Sequence, residues 1–469
     1  MGLACGERPP GANAGYAHYW DEPNMRFRPG ATEVTRRTLS RWRERASGAK
    51  LCHAVVSTAD TTPSECPSLE VHMRQMARAL LLLVLLIPVA ALRPQAPAKT
   101  VTIGTTDSIF SPTLKEKRPY LVYTPPSYDD TTYLPRRYPV LYLLDGDAHF
   151  HSVTGLIQIL GTGVNGTFVV PEMIVVAIPN TNRTRDMTPT HTDKDPNGKP
   201  QPGLAASGGM GNFLKFIQSE LIPQVEKSYR TAPYRVFIGH SLGGITTIDA
   251  LYTMPETFNA YVAIDPSLWW DNRVLLKQAR DKFSKPGLAG RALFVGQANT
   301  ITPGDTTINV HYNSIVQFNS ILETFNNSGV RYGYKYYPND SHGSVPLAAE
   351  YDALRFIFDA YNVSLAQAIE RPDYLAEHFA RASTALGYKV DPPEAMVDLV
   401  GHVALGRDST AALKLFEMNA ALYPASANVH VALADYWLAK KDSTKALGHF
   451  ERALALRPAR SGRRTWPAN

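Results

Sequence analysis

Cysteine is scarce in this 469-residue chain and confined to its front: Cys5, Cys52 and Cys66 are the only three. From residue 67 onward the sequence can therefore form neither a disulfide nor a thiolate metal site. A charge excess is also missing from most of the chain. The formal net charge of +6 comes mainly from residues 1–99, which hold 13 Lys/Arg against 8 Asp/Glu, whereas residues 100–469 hold 35 against 34. A body so balanced offers no electrostatic footprint for nucleic acid. The main apolar run, roughly 13 residues from Ala79, is too short to span a bilayer comfortably. Gly208-Gly209-Met210-Gly211 lacks the Gly-Lys-Ser/Thr that would follow in a phosphate-binding loop, which excludes that reading.

The front of the chain has two parts. Residues 1–72 mix Pro, Gly, Arg and Ser with no sustained apolar period, which predicts a disordered arm. Residues 73–91 then combine a basic start (Arg74, Arg78), an apolar run from Ala79 to Ile87 and a small-residue exit at Pro88-Val-Ala-Ala91. These are the parts of a secretory signal peptide. A signal peptide belongs at a chain start, so translation is expected to begin at Met73 or Met76, with residues 1–72 upstream of it. A buried core helix is the competing reading, disfavoured by the basic pair and the Pro-rich exit. The expected location is secreted or periplasmic, with no stable membrane insertion after cleavage.

Residues 100–361 alternate strand-like and helix-like segments. Strands are predicted at Pro119–Tyr123, Pro139–Leu144, Met173–Ile178, Arg235–Ile238, Ala260–Ile264, Ala292–Val295 and Tyr332–Tyr337. Helices are predicted at His151–Leu160, Asn212–Tyr229, Ile245–Thr253, Tyr312–Phe325 and Leu347–Tyr361. This alternation predicts an α/β domain, a mainly parallel sheet between helices. The stretch Asn180–Gly211 is too long for a plain connector, and such loops usually carry function or move. From 363 to 460 the pattern is helical only. Asp408-Ser-Thr-x-Ala412-Leu413-x-x-Phe416 returns 34 residues later as Asp442-Ser-Thr-x-Ala446-Leu447-x-x-Phe450, closed by Pro424 and Pro458. That is the tetratricopeptide period, with one complete repeat at about 427–460. Two repeats barely bury a core of their own, so this small all-α domain is expected to pack on the first. It reads as a stabilising or dimerising appendage more readily than as a protein-binding groove.

The chemistry centres on Gly239-His240-Ser241-Leu242-Gly243. A serine between glycines, with an apolar strand before it and a helix after it, is the nucleophile elbow of the α/β-hydrolase architecture. Leu242 N–H, at the helix start, can hold an oxyanion. Serine needs a base and an orienter, which follow in the order acid, then histidine. His342 comes directly after the last strand and is the expected base. The acid is expected in the loop after Ala292–Val295, where the first carboxylate is Asp305. Asp265 and Asp271 remain candidates, Asp340 lies too near His342 to orient it well, and a Ser–His dyad stays open. The second oxyanion donor is expected from Asp145-Gly146-Asp147. Trp269 and Trp270 read as an aromatic wall for substrate or as lid packing. Arg183 and Arg185 read as an anion contact or as partners of Asp186.

These stretches together resemble the esterase family that includes esterase D, the enterochelin and bacillibactin esterases and the mycolyltransferases. The resemblance is carried by Tyr142–Asp147, Gly208 through Pro223, Gly239–Gly244, Asp265-Pro-Ser-Leu-Trp-Trp270 and His342-Gly-Ser-Val345. It implies an α/β-hydrolase fold over about 101–361, with Ser241 as nucleophile and His342 as base. It further implies that the main-chain N–H groups of Leu242 and Asp147 form the oxyanion hole. The expected activity is hydrolysis of a small-molecule carboxylic ester, siderophore lactones among the substrates. No metal or organic cofactor is required. Acyl transfer to an alcohol, or an idle hydrolase fold that binds partners through its repeats, are the alternatives.

Overall fold

The computed structural model describes residues 100–194, 199–304 and 309–456. The expected arm, the signal-like segment 73–91 and Asp305 lie outside the described residues. Tyr138–Leu144, labelled β3, is buried at every position, as a near-continuous apolar strand covered on both faces must be. Around it eight strands form one sheet in the order β1-β2-β4-β3-β5-β6-β7-β8. The others are β1 (Thr105–Ser111), β2 (Glu116–Tyr123), β4 (Ile174–Ile178), β5 (Thr231–His240), β6 (Ala260–Ile264), β7 (Ala292–Ala298) and β8 (Arg331–Tyr337). β2 runs antiparallel to both of its neighbours, and every pairing from β4 to β8 is parallel. All seven expected strands are present. β1 is additional: it is an edge strand with little burial, Phe110 being 65% exposed, so its sequence carries no clear alternation.

Helices cover both faces. In chain order they are α1 (Gly146–Gly161), α2 (Arg183–Asp186), α3 (Met210–Phe216), α4 (Ile222–Ser228), α5 (Leu242–Thr253), α6 (Trp270–Ser284), α7 (Val310–Phe325) and α8 (Val345–Ile357). A π-turn at Ile217–Leu221 joins α3 to α4, giving the single long helical stretch expected there. α6 was not expected. Asp271, Asn272 and Arg273 adopt left-handed backbone at its start, and the charged residues that follow blur its apolar period.

The period-2 pleat sorts the core. Val140, Tyr142, Ile174 and Val176 pack against Phe213, Phe216, Ile248 and Phe318, while Leu141, Leu143, Val175 and Val236 pack against Val153, Ile157 and Leu354. The second of these layers does not stop at the sheet-covering helices. It continues through Tyr361 into Val363, Phe379, Met396 and Phe416 of the tail.

The tail comprises α9 (Leu365–Glu370), α10 (Tyr374–Leu386), α11 (Glu394–Leu405), α12 (Ser409–Leu422), α13 (Ala427–Ala439) and α14 (Ser443–Leu456). The repeated Asp-Ser-Thr is a helix start. Asp408 Oδ1 accepts from the N–H groups of Thr410 and Ala411, and Asp442 Oδ1 accepts from Lys445 N–H. Such N-caps satisfy donors that the helix cannot. The α11–α12 and α13–α14 pairs therefore follow one another as two helical hairpins. Polar ties reach back to the loop before β3, where Leu134 N–H donates to Glu394 at 2.9 Å and Tyr133 Oη to Asp398 at 3.2 Å.

Candidate active site

The C-terminal edge of the parallel strands, where α/β sheets bind ligands, brings together Ser241, Asp265 and His342. β5 ends at His240, the chain turns at Ser241, and α5 begins at Leu242. Ser241 holds φ +61°, ψ −113°, a conformation that a non-glycine residue keeps only where its surroundings enforce it. The enforcement comes from β6: Ser241 N–H donates to Ile264 O at 2.9 Å, and Ser267 N–H donates to Ser241 O at 3.0 Å. Two glycines of the turn are sterically required, Gly239 of the expected pentapeptide and Gly244 just beyond it, whereas a Cβ on Gly243 would come no nearer than 3.3 Å, to the Asp145 side chain. A Cβ on Gly239 would collide with the carbonyl of Gly243, and one on Gly244 would lie 2.9 Å from Pro266 Cα.

Ser241 Oγ lies 3.1 Å from His342 Nε2 and 3.2 Å from Ser267 Oγ. His342 stands on the short loop after β8, half-exposed. Its other ring nitrogen, Nδ1, lies 2.5 Å from Asp265 Oδ2. Asp265 directly follows β6 and its side chain is fully buried. Its Oδ1 accepts from Ala298 N–H at 2.9 Å, and Oδ2 also meets His311 Nε2 at 2.9 Å. Burial alone would push this carboxyl up, but the hydrogen bonds from His311 and His342 outweigh it and hold the group well below the usual carboxylate range.

The carboxylate on the His342 ring is thus Asp265, whereas the first choice, Asp305, lies outside the described residues. The reason is the strand order. β6, β7 and β8 are neighbours, so a residue at the end of β6 crosses only the tip of β7 to reach the loop after β8. Asp340 instead accepts from Ser344 Oγ at 2.9 Å and braces its own loop.

At the end of β3, Asp145 adopts a left-handed backbone (φ +52°) and α1 starts at Gly146. Its buried carboxylate takes a bidentate grip from Arg183, Nε to Oδ1 at 2.7 Å and Nη2 to Oδ2 at 3.0 Å, with Asn180 Nδ2 on Oδ1 at 2.7 Å. Burial raises this carboxyl and Arg183 more than reverses it, for a net lowering. Arg183 Nη2 also donates to His240 O at 3.1 Å, tying the β3–α1 turn to the elbow.

That arrangement corrects two expectations. The Arg183 guanidinium is committed to the frame and is not a free anion contact; Asp186 is instead held by Arg118 and Arg185. Trp270 is 1% exposed and donates its indole N–H to Thr190 O at 3.3 Å, so it anchors the long loop from within the core. Of the expected aromatic wall only Trp269 is half-exposed.

Asp147 and Leu242 lie in the first turns of α1 and α5, where N–H groups have no intrahelical acceptor; the backbone bonding of α1 begins with Ala148 N–H. The two helix starts abut, since a Cβ on Gly243 would lie 3.3 Å from Asp145 Oδ2. Behind them, burial together with the neighbouring His342 and His149 rings pushes His240 down to about 4. Burial pushes Glu350 up to about 8. Both shifts favour the neutral form. Sequence reasoning missed His311, Ser267 and Glu350. Only Ser267 carried a signal, through its place in the Asp265–Trp270 stretch.

A family model described as "Putative esterase" matches residues 111–294. The ferri-bacillibactin esterase BesA of Bacillus subtilis is 34% identical over 185 residues, which cover 38% of this chain and 63% of that protein. The siderophore enterobactin esterase of Emericella nidulans is 34% identical over 166 residues, covering 33% and 52% respectively. The match therefore spans less than two thirds of either relative. Among solved structures, an IroE-like serine hydrolase from Shewanella oneidensis aligns with a TM-score of 0.58 and 28% identity, over 74% of this chain and 99% of its own. Together these matches support an esterase family of the α/β-hydrolase type.

Proposed function

We propose that this chain is a serine esterase that hydrolyses small-molecule carboxylic esters, with ester-linked siderophores as its substrate class. The observation that carries the reading is the unbroken run from Ser241 Oγ through both nitrogens of His342 to Asp265. In this reading His342 Nε2 takes the Ser241 proton as Oγ attacks the ester carbonyl. The Leu242 and Asp147 N–H groups hold the oxyanion. His342 then protonates the departing alkoxide, water attacks the acyl-enzyme with His342 again as base, and His342 returns that proton to Ser241 Oγ as the acid product leaves. Asp265 keeps the proton of neutral His342 on Nδ1 and stabilises the imidazolium as it forms.

The substrate class rests on the relatives, named as siderophore esterases, and on a half-exposed Ser241–His342 pair that suits a bulky ester. The signal-like segment 73–91 favours action outside the cytoplasm. The hairpins at a 34-residue offset favour a tetratricopeptide-like tail, and its share in the sheet's core favours a stabilising role for it. A fluorophosphonate probe should label the wild type and leave Ser241→Ala unlabelled; labelling that survives the substitution removes Ser241 as nucleophile. Turnover of p-nitrophenyl esters without turnover of any siderophore lactone would remove the substrate class alone.

A further inference from the structure

A serine triad uses one imidazole on its carboxylate, yet here two converge on the same oxygen. His342 Nδ1 and His311 Nε2 lie 2.5 and 2.9 Å from Asp265 Oδ2. The rings stand at 90° with centroids 5.1 Å apart. The three donor atoms lie within 4.8 Å of one another. They come from three separate elements, the end of β6, the first turn of α7 and the loop after β8. The Asp265 side chain is 0% exposed, His311 18% and His342 41%, so the cluster opens to solvent through His342.

Two imidazole nitrogens and one carboxylate oxygen are a donor set for a borderline divalent cation such as zinc. We propose that Asp265, His311 and His342 form a zinc-binding site that reversibly switches off the esterase. The inhibitory half of this inference rests on the proposed function; the binding half does not.

The switching follows from proton placement. In the working arrangement each neutral ring carries its proton on the nitrogen facing Asp265, leaving His342 Nε2 free to accept from Ser241. Zinc takes the lone pair of His342 Nδ1 and of His311 Nε2, so each ring proton moves to its other nitrogen. No proton is lost overall. His342 Nε2 then carries a hydrogen toward Ser241 Oγ and cannot accept another, so the base is gone while the serine stays intact.

Geometry also sets the strength. Metal–ligand bonds of about 2.0–2.2 Å in a tetrahedron hold ligand atoms roughly 3.3 Å apart, wider than the present hydrogen-bond spacing. The His342 loop must therefore open slightly. Among the described residues, buried His311 Nδ1 has no hydrogen-bond partner, whereas strong sites give the second nitrogen an acceptor. The site is thus suited to reversible occupancy rather than to a permanently held ion.

The test titrates the full chain with zinc sulfate in two ways. Calorimetry on Ser241→Ala reads binding without any need for turnover. Ester hydrolysis by the wild type reads inhibition. The expected result is one zinc bound at this site, a fall in kcat with KM unchanged, reversal by EDTA, and a binding constant matching the inhibition midpoint. His311→Asn should raise both constants at least about tenfold, the scale on which even an outer-shell partner matters; inhibition is scored against that variant's own metal-free rate. Should His311→Asn fail to fold, His342→Gln in the calorimetric assay takes its place. Binding and inhibition unchanged in these variants would overturn the proposal, as would binding at this site with undiminished turnover. A metal-free wild type with no esterase activity would instead strike the proposed function, and calorimetry would still judge the site.

Discussion

Asp265→Asn removes one charge from the site and keeps its shape, so its effect can be worked from three contacts. Oδ1 accepts from Ala298 N–H, a backbone donor fixed in β7, while Oδ2 faces His342 Nδ1 and His311 Nε2. The backbone N–H cannot move, so the asparagine oxygen stays with Ala298 and its NH2 group faces both rings. A donor now meets donors, and the rings respond by shifting their protons. For His342 the proton moves to Nε2, 3.1 Å from Ser241 Oγ, and the base becomes a donor. The same substitution in a serine-protease triad lowers kcat about 10⁴-fold, or about 5.4 kcal/mol at 1.36 kcal/mol per factor of ten. A loss of that order is expected here.

The assay is kcat and kcat/KM on a p-nitrophenyl ester, with thermal melting alongside to separate chemistry from unfolding. Melting has its own signature. The folded Asp265 carboxyl is held below its ordinary 3.8, so its stabilisation is complete above that value and is lost as pH falls beneath it. The wild-type advantage over Asp265→Asn should therefore shrink below about pH 4. A kcat loss under tenfold with the fold intact would refute the reasoning and leave a Ser241–His342 dyad.

Three further outcomes follow from named contacts. Gly239→Ala should abolish activity and cost roughly 1–3 kcal/mol, because its Cβ meets backbone that cannot yield; Gly155→Ala, on the open face of α1 with nothing within 4 Å, should instead stabilise by up to about 1 kcal/mol. Circular dichroism melts of the two variants make the comparison. Arg183→Ala strips the buried Asp145 of its bidentate partner, so both melting temperature and kcat should fall; the loss expected on breaking a buried pair is about 3–5 kcal/mol, an upper figure because Arg183 is 34% exposed. A rise in KM for acidic esters alone, with stability unchanged, would return Arg183 to the role of substrate contact. Glu350 is 1% exposed with its carboxyl raised from 4.5 to about 8. The folded state then binds more protons than the unfolded one between those values, and stability falls as pH rises through the window, by up to about 1.4 kcal/mol per unit. Glu350→Gln should flatten that slope in urea melts taken from pH 5 to 8; an unchanged slope would show the group to be ionised.

The parts of this molecule that were legible in the sequence are those whose cause is local. Tyr138–Leu144 had to be a doubly buried strand because no polar residue interrupts it. Ser241 was legible as an elbow because it stands between Gly239 and Gly243, with an apolar strand before it and a helix after it. His342 was found because a single loop separates β8 from α8. The acid is different in kind. Asp265 and Asp305 both satisfy the order serine, acid, histidine, and nothing within either segment separates them. What selects Asp265 is that β6, β7 and β8 lie side by side and that Ala298 N–H points at its Oδ1, facts of tertiary pairing. His311 was further out of reach, because it meets Asp265 from 46 residues away on a helix whose pattern records only the core face. The choice between substrate contact and packing at Trp270 and Arg183 was out of reach for the same reason. Their residue types suit either role, and the fold uses Trp270 to hold the Asn180–Gly211 loop and Arg183 to hold the β3–α1 turn. That use serves chemistry indirectly. In the proposed mechanism main-chain N–H groups hold the oxyanion and have no side chain of their own to tune, so their placement depends on what clamps the turn, and the clamp is the Arg183–Asp145 pair.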